Sequence, residues 1–115
     1  MLNLSVHIFL FSLLMGSVTW TNTTHDLGAI ALREPVEHVF HFHNNYDHPI
    51  LVETVRTTCG CTVPEYDVEP VGPGEIGSIR IRYEGYRRGR FRKKIMVYFD
   101  VKKRAETLWI EGRVE

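Results

Sequence analysis

The sequence predicts an all-β domain built from two packed sheets, and two observations support this. From Asp26 onward, short runs of alternating apolar and polar residues recur about every 8 to 15 positions between turn-forming residues. Over the same span no apolar spacing of 3.6 residues persists for about three turns, so no amphipathic helix is expected. A chain of 115 residues with balanced formal charge is long enough for one domain with one core.

The first 24 residues differ in composition from the rest of the chain. They contain no Asp, Glu, Lys or Arg, and Leu4 to Met15 is almost continuously apolar, as in a secretory signal peptide. An uncleaved anchor is the alternative, since the apolar stretch stops just short of the roughly 20 residues that span a bilayer. We therefore expect residues 1–24 to be a signal peptide or N-terminal anchor. Residues 25–115 are expected to form an exported domain in the periplasm or at the cell surface.

The first two predicted strands follow this leader. Residues 27–30 form a short first strand. In the next strand His38, Phe40 and Phe42 share one face, because side chains alternate along a strand, and we expect that face to meet the core. The intervening His41 and His43 then lie on the solvated face.

The third predicted strand has an irregular apolar spacing. It follows a turn at residues 44–49 and carries Ile50, Val52 and Val55, where the spacing changes from two to three. A β-bulge at residues 53–54 would explain the change. The alternating acidic residues that come later, Glu65 to Glu69, are interpreted as a solvated loop.

The remaining predicted strands are separated by glycine-containing turns. Pro73-Gly74 has the order that a type II turn needs, and it precedes a strand with Ile79, Ile81 and Tyr83 facing inward. Residues 84–90 are predicted to form a hairpin loop leading to a strand over residues 91–99. The inward residues of that strand and of the last one are Ile95, Val97, Phe99, Leu108, Ile110 and Val114. The total of six or seven strands is typical of an immunoglobulin-like sandwich.

Several short motifs resemble a known family. They are Asp26-Leu27-Gly28-x-Ile30, His38-x-Phe40-x-Phe42-x-Asn44, Pro49, Thr58-Cys59-Gly60-Cys61-Thr62, Pro73-Gly74-Glu75 and Gly89-x-Phe91. In order and spacing they resemble the bacterial domain-of-unknown-function family 1573, and the resemblance covers essentially all of residues 26–115. It implies an exported immunoglobulin-like module, akin in shape to domains of cilia-associated and sperm-protein-like proteins, with no assigned activity.

Cys59-Gly60-Cys61 is the sharpest local signal for chemistry. Residues two apart on a strand project to the same side, and a bend at Gly60 would bring the two Cα atoms within disulfide range. A structural pair, bridged or buried, is the first interpretation, since exported compartments are usually oxidising. A Cu(I) or Zn site and a redox-active pair are the alternatives.

Histidines would have to complete any metal site. His41 and His43 lie two apart on one strand face and are the candidate ligands beside Cys59 and Cys61, with His25 a further possibility. No third ligand accompanies the histidine pair in the sequence, so solvated side chains are the favoured interpretation. We predict no metal and no other cofactor.

Basic residues are concentrated in one part of the chain. Residues 80–104 hold eleven basic and two acidic residues, whereas residues 25–79 hold two basic and nine acidic ones. Alternation and the predicted hairpin suggest one basic face on a single sheet surface, consisting of Arg80, Arg82, Arg87, Arg88, Arg90, Arg92 and Lys94. Such a face would suit an acidic polymer or another envelope protein, whereas nucleic acid is not an expected partner of an exported domain. Its alternative role is a solvated surface that prevents edge-to-edge pairing of sheets.

The sequence contains no motif typical of an active site. There is no Gly-x-Ser-x-Gly, no His-Glu-x-x-His and no phosphate-binding glycine loop. We therefore predict a non-catalytic module with a structural or interaction role. The competing hypothesis is a metal-binding or thiol-redox protein that uses Cys59 and Cys61. Contact with a membrane is expected only through an uncleaved N-terminal segment.

Overall fold

The computed structural model describes residues 16–115, in which every regular element is a β-strand. The strands are β1 Val18–Trp20, β2 Thr24–Ile30, β3 Val36–Asn44, β4 Val52–Thr57, β5 Thr62–Tyr66, β6 Ile76–Tyr83, β7 Gly89–Phe99 and β8 Glu106–Val114. No membrane-spanning helix occurs within this described range. The apolar stretch from Leu4 to Met15, on which the predicted signal peptide rests, lies outside the described residues.

The strands form two sheets of four. The first sheet has the order β1-β3-β6-β5, and each neighbouring pair in it is antiparallel. The second sheet has the order β2-β8-β7-β4, in which β2 runs parallel to β8 and the other pairs are antiparallel. The predicted all-β, immunoglobulin-like sandwich is confirmed, with eight strands in place of six or seven.

The core lies between the two sheets and is filled by the inward side chains of alternating positions. The buried apolar residues are Ile30, Phe40, Phe42, Ile50, Val52, Ile79, Ile81, Tyr83, Ile95, Val97, Phe99, Leu108, Ile110 and Val114. Each large apolar side chain buried in this way contributes about 1.5–3 kcal/mol to folding. His38 and Val55, which were predicted to face the core, are only half-buried.

Two local predictions about backbone shape are confirmed. The pairing of β4 with β7 shifts register between Val52 and Thr54, which is the predicted bulge. Before β6, the amide of Glu75 donates to the carbonyl oxygen of Gly72 at 3.0 Å, and Gly74 has a φ of 75°. This is the type II turn expected from Pro73-Gly74, since its third residue must adopt a positive φ.

Strand β5 was missed by the sequence prediction. It contains Pro64, and its outward Val63 and Glu65 do not follow an apolar alternation, so the segment was interpreted as a loop. Its position explains why the strand still forms. β5 is at the edge of the first sheet, where a proline can occupy a position whose missing N–H would face away from the neighbouring strand.

Strand β1 corrects the predicted start of the domain. Its Trp20 has a ring centroid 5.3 Å from that of Phe42 and 6.2 Å from that of Phe99. The indole N–H of Trp20 donates to Glu106 Oε1 at 3.1 Å. Residues 18–24, which were assigned to the leader, therefore belong to the sandwich.

The connection between β6 and β7 also differs from the prediction. The two strands were expected to form a hairpin, but β6 belongs to the first sheet and β7 to the second. Both edges of β6 are already occupied by β3 and β5, so β7 cannot pair with it. The loop between them crosses from one sheet to the other at the end of the sandwich.

Candidate anion-binding face and disulfide cleft

The seven residues of the predicted basic face do not share one surface. Arg80 and Arg82 of β6 are exposed on the outer surface of the first sheet. Arg90, Arg92 and Lys94 of β7 point outward from the second sheet, on the opposite side of the molecule. Arg87 and Arg88 lie in the crossing loop. The prediction of a single face is wrong because alternation determines whether a side chain points inward or outward, but not which sheet its strand joins.

The second sheet has a basic outer face of its own. Three of its cations lie at alternate positions of β7, about 7 Å apart. Arg56 on the neighbouring strand β4 and Arg113 on the neighbouring strand β8 complete the set. We call this set the second-sheet basic face, and its members are Arg56, Arg90, Arg92, Lys94 and Arg113. Asp26 and Glu111 are acidic residues of β2 and β8 on this surface, and Glu53 is exposed at the bulge of β4, so cations outnumber carboxylates there.

Arg90 and Arg113 form the most unfavourable contact within this face. They are direct cross-strand partners on β7 and β8, and both are exposed. Like charges facing one another across strands destabilise a sheet by a few tenths of a kcal/mol to about 1 kcal/mol. Within residues 16–115 neither guanidinium has a carboxylate at ion-pairing distance. An anion placed between them would relieve the repulsion.

A shallow cleft of about 570 Å³ lies over this pair. Arg90, Arg92 and Arg113 line it together with Asp26 and Glu111. Glu111 Oε2 lies 3.6 Å from Arg92 Nε. This ion pair is exposed and therefore contributes little to stability. Three arginines and two carboxylates line the cleft, so its net charge is positive.

Trp109 provides an aromatic centre for the second-sheet basic face. The Arg92 guanidinium lies 4.0 Å from its ring centroid and Lys94 Nζ lies 6.0 Å away. A second cation–aromatic pair forms between Arg56 and Tyr98, at 5.6 Å. Such contacts orient long side chains that would otherwise move freely, so the cations are displayed in a partly ordered array.

The outer surface of the first sheet is electrically more balanced. Arg80 lies 3.9 Å from the carboxylate of Glu65 on β5, and Arg82 is in cross-strand register with Glu37 on β3. Each arginine on this surface therefore has an acidic neighbour across a strand. This difference makes the first sheet a natural reference surface for tests of the second.

Cys59 and Cys61 are joined by a disulfide, with Cα atoms 5.2 Å apart. They lie in the turn between β4 and β5, not within a strand as the sequence analysis assumed. The amide of Thr62 donates to the carbonyl oxygen of Cys59 at 3.1 Å, which closes a four-residue turn around Gly60. The bend expected at Gly60 thus belongs to a chain reversal that connects the two sheets.

The disulfide is poorly placed to stabilise the whole domain. It closes a loop of only three residues, Cys59 to Cys61. Restriction of the unfolded chain by so short a loop is worth about 1.6 kcal/mol, compared with about 3 kcal/mol for a 15-residue loop. Because the turn also has its own backbone hydrogen bonds, the cross-link contributes little that the fold lacks.

The four candidate metal ligands are not brought together. His43 pairs with Ile76 at one end of the first sheet, whereas Thr62, beside the cysteines, pairs with Tyr83 at the other end of β6. Seven strand positions separate these ends by about 23 Å. His43 Nδ1 lies 2.6 Å from Asn45 Oδ1, and His41 is exposed. Within the described range no three potential ligands form a metal-binding group.

His25 and His38 make the closest contact between ionisable rings. Their imidazoles stack nearly parallel, with centroids 3.6 Å apart, where β2 of one sheet meets β3 of the other. His38 Nε2 is buried and has no hydrogen-bond partner within residues 16–115. Burial lowers the pKa of His38 below 6.5, and the positive charges of His25 and His41 lower it further. His38 therefore favours its uncharged state.

Trp109 and Arg113 were missed by the sequence analysis as members of a surface site. The signal for them was present, because Leu108, Ile110 and Val114 were predicted to face inward and the odd-numbered positions of β8 must then face outward. The sequence did not indicate that β8 pairs with β7. That pairing alone places Arg113 opposite Arg90.

Comparisons with solved structures identify the architecture. The PapD-like domain 7 of human CEP192, an ASH domain, matches with a TM-score of 0.72 and 11% identity, covering 85% of this chain and 84% of that one. A protein of unknown function from Porphyromonas gingivalis matches with a TM-score of 0.69 and 15% identity over 85% of this chain. The secreted serine protease VesC of Vibrio cholerae matches with a TM-score of 0.66 and 13% identity over 96% of this chain.

These likenesses establish a fold and no activity, because all three identities are low. The chain spans 46% of the Porphyromonas gingivalis protein and 26% of VesC. No curated protein sequence matches it. The family model described as "Protein of unknown function (DUF1573)" matches residues 18–114. Since that match covers most of the chain, the protein belongs to the DUF1573 family.

Proposed function

We propose that this protein is an exported, non-catalytic interaction module that binds an acidic polysaccharide through the second-sheet basic face. The observation that carries the proposal is the cross-strand contact of Arg90 with Arg113, two exposed cations without a carboxylate partner in the described part of the chain. Export is supported by the almost continuously apolar, uncharged stretch from Leu4 to Met15.

The form of the face supports a polymer over a small ligand. The cations of β7 are spaced about 7 Å apart along an extended strand, and the cleft over Arg90 and Arg113 is shallow. A chain with repeated negative charges could contact several of them in succession. Trp109 adds a flat aromatic surface of the kind on which sugar rings pack, although Arg92 covers part of it in the free protein.

The proposal is tested by retention on a sulfated polysaccharide resin. We expect the protein to bind at low salt and to elute steeply as ionic strength passes about 0.15 M, where the Debye length is roughly 8 Å. The double variant Arg90→Glu, Arg113→Glu should lose retention. Its fold should persist, because both side chains are exposed and circular dichroism can verify the β structure.

The matched control is Arg80→Glu, Arg82→Glu, which makes the same change in net charge on the opposite sheet. It should retain most of the binding. Equal loss in both double variants would show a response to net charge alone and would refute a defined face. Retention that the Arg90 and Arg113 changes leave intact would refute the proposal directly. Selective capture of an acidic protein without affinity for polysaccharide would replace the polymer with a protein partner.

A further inference from the structure

The disulfide lies in a second cleft, which adjoins the one over Arg113 and shares Arg90 and Phe91 with it. This cleft, of about 530 Å³, is formed where the β4–β5 turn meets the crossing loop between β6 and β7. Both cysteines line it, together with four cations, Arg87, Arg88, Arg90 and Lys93. None of its lining residues is acidic. The nearby carboxylate of Glu84 accepts a hydrogen bond from the hydroxyl of Tyr86 at 2.7 Å.

The cations of this cleft are far from the cysteines in the sequence. Arg87, Arg88 and Lys93 follow Cys61 by more than 25 positions, and only the crossing of the chain between sheets brings them to the same end of the sandwich. Lys93 is at an inward-facing position of β7. Because it precedes Ile95, the first fully buried residue of that strand, it lies at the open end of the core and is only half-buried. The cations thus line the same cleft as the two cysteines, and none of them pairs with an acid within residues 16–115.

The turn that carries the disulfide does not depend on it. The Thr57 hydroxyl donates to the carbonyl oxygens of Cys59 at 3.2 Å and Thr62 at 3.1 Å. The amide of Glu84 donates to the carbonyl oxygen of Cys61 at 3.0 Å, which ties the turn to β6. The S–S bond can therefore open while the surrounding backbone keeps its hydrogen bonds.

The two sulfur atoms have different surroundings. The backbone amide of Cys61 donates to Sγ of Cys59 at 3.3 Å. Hydrogen bonds and nearby positive charges both stabilise a thiolate, so Cys59 is the better leaving group of the pair. Cys61 is packed against the core cluster, yet it still lines the cleft and is reachable from it.

We propose that Cys59–Cys61 is a redox-active disulfide that exchanges with small acidic thiols, meaning thiols that carry carboxylates. The incoming thiolate attacks Sγ of Cys61 and forms a mixed disulfide, while the S–S bond breaks and its electron pair leaves on Sγ of Cys59. A second acidic thiolate attacks the mixed disulfide and takes the first thiol away as a symmetric disulfide. Cys61 leaves as a thiolate that takes a proton from water. The exchange is stoichiometric and does not depend on the polysaccharide proposal.

The expected signature is a preference among thiol reductants. Glutathione, which has a net negative charge, should reduce the disulfide about tenfold faster than cysteamine, a cationic thiol, at equal thiolate concentration and low salt. High salt should remove most of this difference by screening. Free thiols are counted over time with a chromogenic disulfide, and mass spectrometry of acid-quenched samples should find the glutathione adduct on Cys61.

The variant Arg87→Ser, Arg88→Ser should remove most of the preference for glutathione, and Arg80→Ser, Arg82→Ser on the first sheet should keep it. Both pairs are exposed, so circular dichroism should show folded protein in each case. Equal rates for the two reductants in the unaltered protein would overturn the proposal. So would a disulfide that resists millimolar thiol in the folded state, or a glutathione adduct found on Cys59. The polysaccharide proposal would stand in each of those cases, because its test measures retention.

Discussion

At the scale of single residues, Asn44 is a buried polar group that joins two loops. It is fully buried, and its side-chain amide donates to the carbonyl oxygens of His48 at 3.0 Å and Val71 at 2.9 Å. Its Oδ1 accepts from the amide of Tyr46 at 2.8 Å. Asn44 thereby connects the turn after β3 with the turn before β6.

Replacing Asn44 with Ala should destabilise the domain by about 2–4 kcal/mol, since the His48 carbonyl and the Tyr46 amide would lose a part-buried partner and the Val71 carbonyl would keep only the Ile50 amide. Chemical denaturation monitored by fluorescence measures the change. Asn45→Ala is the control, because Asn45 is exposed and its side-chain contacts, with Thr19 at 2.9 Å and His43 at 2.6 Å, are exposed too. Its cost should stay below about 1 kcal/mol. Similar losses for the two variants would contradict this account.

His38 should make stability dependent on pH. Its pKa is lowered in the folded state, first by burial and then by His25 and His41, so the unfolded chain binds a proton at a higher pH than the folded one. Stability is therefore complete above about pH 6.5 and falls as pH drops from there through the folded-state pKa, by at most about 1.4 kcal/mol per pH unit.

The variant His38→Phe should flatten this part of the pH profile, since a phenyl ring beside Phe40 cannot be protonated. Denaturation midpoints at several values between about pH 5 and 8 provide the comparison. His48→Phe changes an exposed histidine and serves as the control. An unchanged slope in His38→Phe would assign the pH dependence to other groups.

At the scale of elements, β1 shows how three residues can complete a sheet. Trp20 covers Phe42 at the edge of the first sheet and reaches Glu106 of β8 in the second. We expect Trp20→Ala to destabilise the domain by about 2–4 kcal/mol, slightly below the range for a fully buried tryptophan. Trp109→Ala, on the outer face, should cost much less. Thermal unfolding of both variants measures the two costs, and a cost for Trp20→Ala no larger than that for Trp109→Ala would contradict this prediction.

At the scale of the whole molecule, two sheets place the basic segment of the chain on three different surfaces. Arg80 and Arg82 face outward from the first sheet, the second-sheet basic face lies opposite, and Arg87 and Arg88 border the disulfide cleft. A single charge-rich stretch of sequence thus supplies Arg90 of the Arg90–Arg113 pair, the two arginines of the balanced first-sheet surface and the cations that line the disulfide cleft. The double variants at Arg90 and Arg113, at Arg87 and Arg88, and at Arg80 and Arg82 test these surfaces separately.

Local patterns in the sequence were sufficient to predict the all-β class and the inward positions of β3, β6, β7 and β8. They also predicted the bulge near Glu53 and the turn at Gly74. Each of these follows from side-chain alternation or from the φ values that a residue allows, and neighbours in sequence determine both. The resemblance of short motifs to family 1573 also came from the sequence alone.

Tertiary structure decided which strands pair, and therefore which surface residues meet. Alternation is the same for a strand in either sheet, so it could not place β6 and β7 apart or bring Arg113 opposite Arg90. It also could not recognise β5, whose Pro64 is tolerated only because that strand became an edge. Pairing is settled by burial and hydrogen bonding between segments far apart in the chain, and those contacts leave no local pattern.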